Sequence, residues 1–167
     1  MTMIVPLTPD RAAAVEALLD AAFGPDRRGR TAYAVRGTAL AIPALGFAAV
    51  DADGALVGSI QCWPVRFAAD DGGAVPMVMV GPVAVMPGHQ QGGVGRRLTD
   101  AALAAARAEG LDAAMMLIGD PGYYGRFFGF TAERTGGWRL PGPVEPHRLL
   151  ARGAGVPAGS GTLGPAG

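Results

Sequence analysis

Apolar positions along the chain change period several times, and each change predicts an element. Met3–Leu7 reads as a short first strand. Thr8-Pro9-Asp10 follows with a capping residue, a proline at the first helical position and an acid in the first turn. Val15, Leu18, Leu19 and Ala22 then recur at helical spacing until Gly24. A polar segment, Pro25 to Arg30, leads to a weaker helix over Thr31–Leu40 that Pro43 closes. Leu45–Val50 and Leu56–Phe67 are apolar and rich in strand formers, and the turn residues Asp51 to Gly54 between them signal a hairpin. After a second turn at Ala68–Gly73, Val75–Val85 is almost continuously apolar, which implies a strand buried on both faces. Pro82 has no N–H to donate, so ladder pairing is expected to fail or bulge there.

In the second half, Val94, Leu98, Ala101, Ala102 and Ala105 fall on one helical stripe, and Gly110 suits the residue after a helix end. Ala113–Ile118 is the next strand. A strand–helix–strand order requires a right-handed crossover between parallel strands. Gly119-Asp120-Pro121 opens a short helix that carries Tyr123 and Tyr124 and ends at Gly129. Phe130–Arg134 and Gly137–Leu140 read as closing strands. Beyond Pro141 the chain is rich in Gly and Pro with weak periodicity, so residues 141–167 are expected to be a loop-like tail packed against a domain of residues 1–140.

Composition narrows the function. The 167 residues are long enough for one real core, and half of them are apolar. Fourteen basic residues, every one an arginine, balance fourteen acids. A net charge of zero offers no electrostatic footprint for nucleic acid or an anionic membrane, so neither is expected as a partner. Cys62 is the only cysteine, which excludes an internal disulfide and a cysteine-based zinc site. The first residues lack a basic segment followed by an apolar run, and no uninterrupted apolar stretch of membrane-spanning length follows. A cytoplasmic protein without a metal is the expectation.

The chemistry starts at the glycine-rich turn between the Val75–Val85 strand and the helix after it. Glycines at such a turn bring backbone N–H groups close to a ligand, and the helix start adds unpaired donors and partial positive charge, a seat for phosphate. A Walker loop is excluded because the chain has no lysine. The dinucleotide fingerprint matches only halfway: Gly93-Val94-Gly95 is followed by Leu98 where a third glycine belongs, and several antiparallel strands come first.

The segment Val83-Ala84-Val85-Met86-Pro87-Gly88-His89-Gln90-Gln91-Gly92-Gly93-Val94-Gly95-Arg96-Arg97-Leu98 resembles the acyl-CoA-binding motif of the GNAT superfamily of N-acetyltransferases, with Gln90, Gly93 and Gly95 on its core pattern. Gly119-Asp120-Pro121-Gly122-Tyr123-Tyr124, followed by Gly129-Phe130, resembles the superfamily's tyrosine-bearing helix and closing Gly-Phe. The pairing of Gly81-Pro82-Val83-Ala84-Val85 with the Gly-Asp-Pro-x-Tyr-Tyr motif resembles a subgroup of predicted acetyltransferases. The resemblance spans about residues 3–140. It implies an α/β fold of α+β type: a mixed, mostly antiparallel central sheet with a splayed parallel strand pair and flanking helices. It also implies transfer of an acetyl group from acetyl-CoA to a primary amine by direct attack. Two departures are visible. Gly92 stands where many relatives carry a basic residue, and Phe127-Phe128 looks like a one-residue insertion before the Gly-Phe.

By this resemblance, backbone N–H groups of Gln91, Gly92, Gly93, Val94, Gly95 and Arg96, with Gln90, hold the pyrophosphate. Val83, Ala84 and Val85 align the pantetheine arm through their backbone. Tyr124 contacts the co-substrate and protonates the leaving thiolate, with Tyr123 as the alternative acid. Arg97 is either a phosphate ligand or a solvated surface residue. Asp120 is a helix cap or a general base, the cap reading being preferred. His89 reads as structural, His147 as a solvated loop residue and Cys62 as core. Arg27, Arg28 and Arg30 either meet an acidic acceptor or solvate a loop. Phe23–Pro43, the Ala68–Gly73 turn and the tail after Pro141 are the segments expected to shape an acceptor pocket. A homodimer stays open. The alternative function is a non-catalytic acyl-CoA-binding sensor or partner-binding module.

Overall fold

The apolar N-terminal run forms β1 (Met3–Pro6), and Pro9–Arg11 turns as a 3-10 helix into α1 (Ala12–Phe23). Thr8 precedes that turn without making a side-chain cap. α2 covers only Thr31–Arg36, because Gly37 takes a positive φ of 58° and ends it well before Leu40. Pro43 does not close a helix; it opens a 3-10 turn, Pro43–Leu45, that feeds β2 (Phe47–Val50). The hairpin turn at Asp51 leads to β3 (Leu56–Ala69), and β4 (Ala74–Val85) follows. Then come α3 (Val94–Ala108), β5 (Met115–Ile118) and α4 (Pro121–Phe128). Phe130–Arg134 is not a strand: only an isolated bridge joins Thr131 to Ala151. The expected Gly137–Leu140 strand shrinks to β6 (Trp138–Arg139). The tail is not loop-like throughout, since it supplies β7 (Leu149–Arg152) and β8 (Gly161–Pro165).

This computed structural model describes residues 1–167, which divide into two compact units. The first comprises residues 1–28, 41–62 and 81–109. In it β1 and β2 are antiparallel, and so are β2 and β3, with a register shift at Ala49/Val50. The end of β4 hydrogen-bonds back to the start of β3, Met86 N–H donating to Val57 C=O at 2.8 Å. Strand alternation gives this part of β4 two faces. Ala84 joins the cluster of Val15, Leu18 and Leu19 from α1. Val83 and Val85 face Gly95 of α3, where an added Cβ would lie 3.7 Å from each side chain. α3 also presses on β3 at Gly58, whose missing Cβ would sit 3.1 Å from both Val94 and Leu98.

The buried face of α3 is rotated from the expected stripe. Val94, Leu98 and Ala102 are buried as expected, joined by Thr99, Leu103 and Ala106, while Ala101 and Ala105 are only half-buried. Burying Thr99 is cheap because its hydroxyl donates to Gly95 C=O at 2.8 Å.

The second unit comprises residues 29–40, 63–80 and 110–167. In it β4 and β5 run parallel, with Val78 opposite Met115 and Met79 opposite Met116. β7 pairs antiparallel on the far side of β5, from Met115 opposite Arg152 to Ile118 opposite Leu149. β8 pairs antiparallel with Val65–Ala69 of β3, and β6 lies parallel to β8. The sheet is therefore mixed and mostly antiparallel, as expected. Met77 to Gly81 of β4 are consecutively buried, in line with a strand covered on both faces. The strand continues through Pro82, after a cis Gly81–Pro82 peptide, to Val85.

Candidate functional site

The first unit carries the glycine turn. His89 N–H donates to Met86 C=O at 2.9 Å, closing a turn that Gly88 permits with a φ of 94°. Gly93 sits before α3 in the left-handed conformation, φ 72° and ψ 17°, which a residue with a Cβ rarely adopts. No side chain caps the helix. The first backbone bond into α3 is Arg97 N–H to Gly93 C=O at 3.0 Å, so the N–H groups of Val94 and Gly95 precede the helical ladder. Gly95 keeps that first turn close over Val83 and Val85.

An open cleft of about 330 Å³ lies at this helix start, lined by Thr2, Gly88, His89, Gln91, Gly92, Val94 and Arg97. None of these is acidic. Arg97 is exposed and donates from Nη1 to Thr2 C=O at 3.0 Å, which ties its guanidinium to the start of the chain. Of the predicted residues, Gln90, Gln91, Gly92 and Gly93 are exposed on the turn and Val94 is buried below it; Arg96 is exposed on the first helical turn. Val83 and Val85 are half-buried and Ala84 is buried. All ten loop and strand positions therefore belong to one unit.

Tyr124 belongs to the second unit, on α4. Both carboxylate oxygens of Asp120 accept backbone N–H groups, from Gly122 at 3.3 Å and Tyr123 at 3.2 Å. Asp120 is thus the cap of α4, and Pro121 fills the first helical position. Tyr124 lies over Gly119, where an added Cβ would come within 2.6 Å of the ring. Phe128 and Phe130 stand 6.1 and 6.4 Å from the Tyr124 ring centre, and Tyr123 meets it edge-on at 5.0 Å. Burial pushes the Tyr124 hydroxyl above its ordinary pKa, Tyr123 and Asp120 add to the rise, and Arg148 opposes it. The phenol therefore stays protonated at neutral pH, the form an acid requires. Of the insertion, Phe128 is buried and Phe127 is 36% exposed.

Other candidates resolve on local contacts. Arg27 is 1% exposed, its guanidinium shared between Glu16 and Asp20 of α1, so it clamps the segment after that helix and is withdrawn from an acceptor role. Arg28 also binds Glu16, at 2.8 Å. Within the second unit, the Arg36 guanidinium stacks 4.0 Å from the Tyr33 ring and 3.7 Å from that of Trp63. Arg139 pairs with Asp70 on the Ala68–Gly73 turn and holds its carboxyl below the usual range. His147 is exposed, 3.4 Å from Glu145. Cys62 is fully buried and burial pushes its thiol up to about 12, which makes it an inert core residue. Sequence patterns gave no sign of Thr2, which contributes only a carbonyl, nor of Gly119, whose lack of a side chain admits the Tyr124 ring.

Comparison with known proteins identifies the family. The model of the acetyltransferase (GNAT) domain matches residues 4–132. A GNAT family N-acetyltransferase from Escherichia coli, solved in complex with CoA, is 25% identical with a TM-score of 0.71, over 90% of this chain and 80% of that one. A GNAT family acetyltransferase from Brucella melitensis, solved with acetyl-CoA, is 29% identical with a TM-score of 0.62, over 93% of this chain and 97% of that one. Naa50 of Arabidopsis thaliana, in complex with a bisubstrate analogue, shares the fold at 16% identity and a TM-score of 0.58, over 90% of this chain and 97% of that one. No curated protein matches by sequence.

Proposed function

The chain belongs to the GNAT acetyltransferase family, and from that premise we propose that it moves an acetyl group from acetyl-CoA to a primary amine by direct attack, with Tyr124 as the acid. The family sets it among enzymes of acetyl transfer rather than passive binding modules. The observation that carries the reading of the loop is the uncapped start of α3 behind a left-handed Gly93. Its amide donors suit a pyrophosphate, and an anion there converts the penalty of Arg96 in the first turn, about 0.3–1 kcal/mol, into attraction. Val83 to Val85 align the pantetheine arm through their backbone.

In the reaction the amine nitrogen forms a bond to the thioester carbon, and the carbon–sulfur bond breaks. A backbone N–H of Val83–Val85 stabilises the oxyanion. Tyr124 gives its proton to the departing thiolate, and the amine loses one to water or a base. Asp120 is a poor candidate for that base, since both its oxygens are engaged in capping. The acceptor is a small-molecule, peptide or protein amine, and the enzyme acts in the cytoplasm without a metal, nucleic acid or membrane. Zero net charge supports that setting, and no helix is long and apolar enough to cross a membrane. The test is a thiol-release assay with acetyl-CoA and a panel of amines, peptides and aminoglycosides. Robust release with one amine is expected. Tight acetyl-CoA binding without release across the panel would restore the passive module.

A further inference from the structure

We infer that Arg97 reads the 3′-phosphate of coenzyme A, which makes it the residue that discriminates the full coenzyme from its dephosphorylated form. This rests on the reading of the loop as a coenzyme site and goes one step beyond it, to a second phosphate on the same ligand. The backbone of Arg97 is not available for the pyrophosphate, because its N–H already closes the first helical bond to Gly93 C=O at 3.0 Å. Its side chain is available. One Nη1 hydrogen goes to Thr2 C=O at 3.0 Å, and a guanidinium has five donors in a planar fork. That bond holds the group at the cleft it lines with Thr2, His89, Gln91, Gly92 and Val94.

The cleft has no carboxylate on its lining, so nothing there neutralises the cation. A positive side chain in the first turn of a helix is also placed against the macrodipole. Both disadvantages vanish when a dianion occupies the cleft. Coenzyme A offers such a group apart from its pyrophosphate, on the ribose. The amides at the start of α3 suit the pyrophosphate, and a forked cation at the end of that first turn suits the terminal phosphate monoester. Arg97 is exposed, so salt screening holds the gain to about tenfold in affinity.

The test is titration calorimetry of the full chain with CoA and with dephospho-CoA, on the wild type, R97Q and R97K. Neither ligand needs the acceptor to be known. The wild type is expected to bind CoA about tenfold tighter than dephospho-CoA. R97Q is expected to weaken CoA by that factor, leave dephospho-CoA unchanged and so abolish the preference. R97K is expected to recover part of it, because the charge returns without the fork. Equal weakening of both ligands would overturn the inference and assign Arg97 to the pyrophosphate or to the loop's shape. Unchanged CoA affinity in R97Q overturns it as well. A wild type that binds neither ligand brings down the coenzyme reading of the loop, a distinct failure. If R97Q does not fold, R97K alone decides, by whether the CoA preference narrows.

Discussion

Two helices of this protein begin alike in sequence and end up with opposite N-termini. α3 and α4 each follow an apolar strand and a turn with glycine. At α4, Asp120 accepts two backbone N–H groups and Pro121 removes a third donor, so the helix start is closed from within. At α3, Gly93 brings no side chain to the cap and the start opens onto a cleft of about 330 Å³. The same orphan donors are thus satisfied internally in one helix and offered to a ligand in the other. A closed start makes α4 a firm support for Tyr124 over Gly119. An open start leaves α3 free to take the phosphate proposed for it. On the proposed function the contrast separates the chemistry from the binding, and substitutions at the two ends should have separable effects.

Tyr124→Phe, at the closed end, is expected to have the largest effect. Loss of a positioned acid lowers kcat by about 10²–10³, with acetyl-CoA affinity nearly unchanged. Unchanged turnover removes Tyr124 from the mechanism. The pH dependence has a definite sign. Burial raises the Tyr124 hydroxyl above the ordinary tyrosine pKa of about 10, so the folded protein holds this proton beyond the point where the unfolded chain releases it. The associated stability is fully present below about pH 10 and is lost only as pH rises through the folded pKa. An activity decline assigned to this hydroxyl must therefore lie above pH 10; one near pH 8 that disappears in the Phe variant contradicts the placement.

Gly92→Asp, at the open end, tests the other half. Gly92 does not have a positive φ, and an added Cβ meets nothing nearer than Val94 at 4.0 Å, so the backbone accepts the change. A carboxylate on the lining of the cleft repels phosphate. Acetyl-CoA binding is expected to weaken by about tenfold or more, with thermal stability unchanged. Binding that survives the new charge would place the phosphates elsewhere.

Much of this contrast was legible beforehand, for physical reasons that the failures make plain. Asp120-Pro121 and Gly93 announce their roles because caps and left-handed residues are local chemistry. The buried face of α3 was harder, because alanines occupy almost every side of the helix and do not mark a stripe. Thr99 carries no sequence signal of burial, because its hydroxyl is satisfied inside its own helix. β8 escaped for a different reason. Its glycines look like loop, yet Gly161 is where a Cβ would meet the Phe67 ring at 2.5 Å. The glycine is there for β8 to lie along β3, a non-local requirement that no window of the tail contains. Arg27 gave the same lesson with charge: its partners Glu16 and Asp20 lie on the preceding helix, and spacing alone does not show that the cation is buried between them.

The smallest effect is the most diagnostic of the closed end. Asp120→Ala removes both cap bonds and should cost about 1 kcal/mol. For a chain of 167 residues that lowers Tm by roughly 2–4 °C. Coenzyme affinity should not change, because the open start of α3 is untouched. Asp120→Asn separates capping from catalysis, since its single amide oxygen keeps one of the two cap bonds while the side chain cannot take a proton. If Asp120 only caps, the Asn variant loses less melting temperature than the Ala variant and keeps its turnover. If turnover in the Asn variant collapses well beyond what its fall in melting temperature accounts for, Asp120 is the missing base, and the helix start described as closed is a working part of the chemistry.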